Sequence, residues 1–192
     1  MGDVEEARGD VNGLLDEVKL KTGKCSQLMR NQLAGHMRQH PQSAFSICDE
    51  IGQMESNDPR RRTGTKAAQP LVGQELAGLM HKHYKTSSLP DFMLNLENHW
   101  KRRNNRAERQ RIEDEVRHGG HTGKVAHEIV LVGYQARHSA GQMTGEWIVY
   151  AAINGVNYYL TLAPHTEPDG AVRERVKSCF DEFPEVAAHL GW

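Results

Sequence analysis

The chain of 192 residues is poor in cysteine. Cys25, Cys48 and Cys179 are odd in number and far apart, which excludes a disulfide framework and a zinc–cysteine site. No apolar run approaches the roughly 20 residues of a membrane span. The first ten residues, MGDVEEARGD, are acidic and lack the basic-then-apolar layout of a secretory signal. Neither charge is in excess: 24 Lys and Arg stand against 25 Asp and Glu, a net of −1, which excludes histone-like coating of nucleic acid. Walker, Rossmann, EF-hand and nucleophile-elbow motifs are missing, as are internal repeats and low-complexity tracts. These absences predict a soluble, cytoplasmic protein with no membrane association and no cofactor. What the chain does hold is histidine, 11 of them, so that full protonation moves its formal charge from −1 to +10.

Residues 1–56 read as a helical N-terminal module. Val4, Ala7, Val11, Leu14 and Val18 step by three and four; Met29, Leu33 and Met37 form a second stripe that stops at His40-Pro41; Ala44, Ile47, Ile51 and Met54 form a third, with Ser43 as its N-cap. Residues 57–70, NDPRRRTGTKAAQP, carry four basic residues and no apolar stripe, the pattern of a basic linker open to proteases, with a nucleic-acid contact as the alternative. Residues 71–192 form the core domain. Leu71–Lys85 admits a helix or a strand. Leu89, Met93, Leu96 and Trp100 share one helical face, and that helix is expected to run to His118, before Gly119-Gly120. Residues 124–138 favour a helix over a strand. The runs GEWIVYAAI and VNYYLTLAP flank Asn154-Gly155, a strong hairpin signal, with Trp147, Val149 and Ala151 on one face and Glu146, Ile148 and Tyr150 on the other. Val172, Val176, Cys179, Phe180 and Phe183 are helically spaced, with Pro184 as the stop. The fold class is α+β: a helical N-terminal module followed by a small antiparallel sheet packed with helices.

Chemistry concentrates in three places. On a strand, His81, His83 and Lys85 face one side two residues apart, a geometry for an acid–base pair or a metal; on a helix they diverge. No matched carboxylate motif completes a zinc site, so metal ligands are not assigned. His165, just beyond the second hairpin strand, sits where a rigid element opens into a loop and suits a general acid. Lys101, Arg102, Arg103, Arg106, Arg109 and Arg111 can form a phosphate-facing stripe, with 102, 106 and 109 close to one side of a helix, or a solvated face. Tyr150, Tyr158 and Tyr159 can offer rings for base stacking, although tyrosine is also a routine sheet residue.

The helical start, the basic 101–111 stretch, His81-Lys82-His83 and the hairpin GEWIVYAAINGVNYYLTLAPH together resemble the layout of small bacterial ribonucleases and toxins of the barnase and RelE type, over roughly Leu71–His165. The resemblance is architectural. It implies metal-independent RNA cleavage through a 2′,3′-cyclic phosphate, and a possible inhibitor or antitoxin-like protein partner. His165 and His83 would then be the acid–base pair, with His81 next and Glu128 an alternative base, while Lys85, Lys101, Arg102, Arg103, Arg106, Arg109 and Tyr150 contact RNA. No Glu–Arg–His order is identifiable, and residues 1–56 have no counterpart. Two other readings stay open: a non-catalytic binding or regulatory protein acting through its N-terminal helices, and a metal-dependent hydrolase ligated by His81, His83 and a remote histidine such as His165.

Overall fold

The computed structural model describes residues 13, 23–56, 58, 60–86, 89–102, 105–118 and 122–192, and of 89–91, 122–126, 128 and 129 the backbone alone. The helix expected over 4–18 lies outside the described residues.

A short strand, β1 (Lys24–Cys25), leads into helix α1 (Gln27–Gln39). Ser26 caps α1: its Oγ accepts from Met29 N at 2.9 Å and donates to Leu160 O at 2.6 Å, tying the helix start to the sheet. The helix buries Met29 and Leu33 and ends at His40. Helix α2 (Pro41–Met54) follows at once. Pro41 opens it, because proline has no N–H to lose in a first turn; the expected cap, Ser43, is instead buried inside that turn.

Strands β2 (Gln69–Pro70) and β3 (Met80–Tyr84) precede helices α3 (Leu89–Trp100), α4 (Arg106–Arg117) and α5 (Thr122–Ser139), followed by the hairpin β4 (Glu146–Ile153) and β5 (Val156–Ala163). The single helix expected to reach His118 is therefore two. Asn105 breaks it by donating from Nδ2 to His99 O at 2.8 Å, a side chain taking a carbonyl of the last turn of α3. Helix α6 (Asp169–Lys177) ends well before Pro184, which opens helix α7 (Pro184–Leu190) rather than stopping α6.

The five strands form one sheet in the order β1-β5-β4-β3-β2. It is mixed, because β1 runs parallel to β5 while the other pairs are antiparallel. At the hairpin tip Asn154 and Gly155 have φ of 51° and 79°, the left-handed pair that a two-residue type I′ turn requires. Strand alternation sorts the core as the sequence predicts. Ile148 and Tyr150 meet Met29, Leu33, Ile47 and Ile51 of α1 and α2, while Val149 and Ala151 meet Val172, Val176 and Val186 of α6 and α7. Residues before and after the basic 57–70 segment thus share one core. The segment itself is fastened: Met143 N donates to Gly64 O, Lys66 N donates to Met143 O, and Thr65 bridges Met143 in parallel.

Candidate active site

Residues 80–84 are a strand, so His81 and His83 fall on one face, beside Val149 and Trp147 of β4 in register. His165 follows the end of β5 and reaches over the same face. Its ring stacks on His83 with centroids 5.0 Å apart and planes at 19°, and Trp147 touches both His81 and His165 at 5.1 and 4.5 Å. Two histidines of one strand and a third some 80 residues away therefore share one aromatic cluster.

Burial divides their roles. His83 is 3% exposed, His81 is half-buried and His165 is exposed. The nearest partner of His83 Nδ1 is Gly145 O at 2.8 Å; a proton on Nδ1 satisfies that carbonyl and leaves Nε2 as the basic nitrogen. His165 Nε2 lies 3.3 Å from the same Nδ1 across the stacked rings, and His165 N donates to Glu146 Oε2 at 2.8 Å, which fixes the loop. Burial pushes the His83 imidazole down to about 4, against the opposing Gly145 hydrogen bond and with help from His165 and His81. Burial, then the neighbouring His165, lowers His81 as well. Of the expected pair, His83 is closed off from solvent and His165 is exposed; His81, expected next, is half-buried.

One cation stands beside this cluster, and it does not come from the 101–111 stretch. The Lys66 ammonium is close enough to lower both His81 and His83, and it lines a cavity of about 320 Å³ with Arg102, Arg137, Lys101 and Asn98. Arg102 donates to Gln142 Oε1, and Arg137, buried, donates to Gln142 O and Asn95 Oδ1, so both guanidinium groups are held in place. Lys66 and Arg137 carry no motif. A buried arginine between hydrogen-bonding loops cannot be told from a solvated one by spacing.

The basic stripe dissolves. Arg102 lies in the turn after α3, whereas Arg106 and Arg109 lie on α4, so they do not share a helix face. Lys101 pairs with Glu97, Arg109 with Glu113 and Arg111 with Glu115, each four residues apart. The acidic 113–115 run is therefore the partner of the basic one. Arg103 and the Glu128 side chain lie outside the described residues. Lys85 leaves the histidine face because β3 ends at Tyr84; its N–H donates to Ser46 Oγ of α2 and its Nζ to His138 Nε2. Tyr150 is 5% exposed and packs against Tyr159 at 5.8 Å inside the core, with Tyr158 buried too, so the expected base-stacking rings are structural.

Lys82, between the two histidines, points to the opposite face. There it is buried with Glu50, Nζ to Oε2 3.2 Å, and also donates to Thr65 Oγ1 and Lys66 O at 2.7 Å each. A lysine on the inward face of a strand demands such a carboxylate, and that alternation was the one available signal for the pair. Among the described residues no group of three or more His, Cys, Asp or Glu side chains is arranged to hold a metal ion, and no helix is long and apolar enough to cross a membrane. Comparison with protein-family models, curated proteins and solved structures finds no match for the chain.

Proposed function

We propose that the protein is a metal-independent endoribonuclease acting by histidine acid–base chemistry. The observation that carries this reading is the stacking of exposed His165 on buried His83 beside half-buried His81, with the Lys66 ammonium near enough to disfavour protonation of His81 and His83. In the proposed step the ribose 2′-oxygen gives its proton to His81, which burial keeps neutral, and attacks phosphorus. The new bond is 2′-O–P; the P–O5′ bond breaks, and the leaving 5′-oxygen takes a proton from His165. Lys66, which shares a small cavity with Arg102, holds the charged phosphoryl oxygens. His83 touches both other rings and positions them; its neutrality spares His165 a second charge at its face.

The test is incubation of an RNA oligonucleotide with the protein in EDTA. Cleavage leaving 2′,3′-cyclic phosphate ends is expected, slower by about a hundredfold or more in His165→Ala, whose circular dichroism stays unchanged. An active His165→Ala protein refutes the assignment. An inactive parent favours the binding-module reading, and activity lost to EDTA but restored by a divalent ion favours the metal-dependent one.

A further inference from the structure

On the other face of β3 lies a cavity of about 960 Å³ between α2, residues 61–63 and the α3–α5 pair, at the upper end of the roughly 300–1,000 Å³ usual for small-molecule sites. We infer that this cleft binds a nucleotide, holding an aromatic base against its rings and a phosphate against its guanidinium groups. One wall is aromatic. Phe92 of α3 and Tyr134 of α5 pair at 5.5 Å, and Phe45, 49% exposed, lines the cleft from the α2 side. A large ring left half in water inside a concavity is one that a stacked partner can cover.

Cations line the cleft as well. Arg61 and Arg62 are exposed, and among the described residues neither guanidinium has a carboxylate partner. Two acids line the cleft: Glu50, whose Oε2 is already taken by Lys82 Nζ, Thr63 Oγ1 at 2.5 Å and Thr65 Oγ1 at 2.9 Å, and exposed Asp49, which pairs with neither arginine. Two guanidinium groups without carboxylate partners and a set of aromatic rings in one cleft select a planar ring joined to a phosphate over either part alone.

The inference does not rest on the ribonuclease reading, since it uses none of the histidine cluster. The experiment is calorimetric titration of the full chain with 5′-AMP and 5′-GMP, beside adenosine and ribose 5-phosphate. Saturable binding of a nucleotide is expected, at least about tenfold tighter than either fragment. The Arg61→Ala/Arg62→Ala double variant, altered only at exposed positions, should weaken it by about tenfold or more, and Phe92→Leu should weaken it while ribose 5-phosphate is unaffected. His165→Ala should bind as the parent does. No saturation at millimolar nucleotide, equal binding of ribose 5-phosphate, or undiminished binding by the double variant overturns the inference. If RNA is cleaved but no nucleotide binds, the cleft fails alone; if nucleotide binds with these dependencies but RNA is untouched, the ribonuclease reading fails alone.

Discussion

His83 shows how one side chain can be set by its surroundings. Its neighbours are Gly145, Trp147 and two other imidazoles, and closure from water holds it neutral. In the unfolded chain the same group titrates near 6.5. As the pH falls from about 6.5 to about 4 the unfolded chain therefore takes up a proton that the folded one refuses, and stability drops. The loss from this group is on the order of 3 kcal/mol and is complete below about pH 4. Urea unfolding from pH 7 to 4 measures it, and His83→Gln should flatten that part of the profile; an unchanged slope refutes the buried neutral state. The Glu50–Lys82 pair is the second residue-scale constraint. Lys82→Met leaves Glu50 buried without its cation and should cost about 3–5 kcal/mol in the same assay. A loss below 1 kcal/mol would mean that Thr63 and Thr65 alone satisfy the carboxylate.

Among the elements, the β3–β4 pair does most to place the candidate site. Register sets His81 opposite Val149 and His83 opposite Trp147, and Gly145, just before β4, lets the strands close. A Cβ at Gly145 would overlap the Tyr84 carbonyl oxygen. Gly145→Ala must therefore push the strands apart and shift the carbonyl that anchors His83. Expected are a lower Tm and weaker RNA cleavage together; a variant with the parental Tm shows that the strands can yield. Much at this scale was legible in the sequence. Met29 and Leu33, the Asn154-Gly155 turn and the alternation around Val149 follow from 3.6- and 2-residue periods, which are local. The break after Trp100 was not, because it depends on Asn105 finding His99 O in place of water.

At the scale of the molecule, helices cover both faces of the mixed sheet, and the basic segment runs between parts that share a core. Its composition looks like a linker. Its packing does not, since Gly64, Thr65 and Lys66 are bonded to Met143 and Lys82 while Arg60, Arg61 and Arg62 stay exposed. Limited trypsin cleavage at those arginines should give two fragments that co-elute on gel filtration, because Ile47 and Ile51 pack with Ile148 and Tyr159; fragments eluting apart would show that the shared core is too weak to hold them. The sequence by itself determined the α+β class and the hairpin, for these depend on neighbours a few residues away, whereas the common face of His81 and His83 waited on 80–84 being a strand. Only the tertiary structure decided that His165 stacks on His83, that Lys66 and not the 101–111 run stands beside them, and that Lys82 finds Glu50. Those choices turn on which strands lie side by side and which charges lose their water, and both are settled by contacts between residues far apart in the chain.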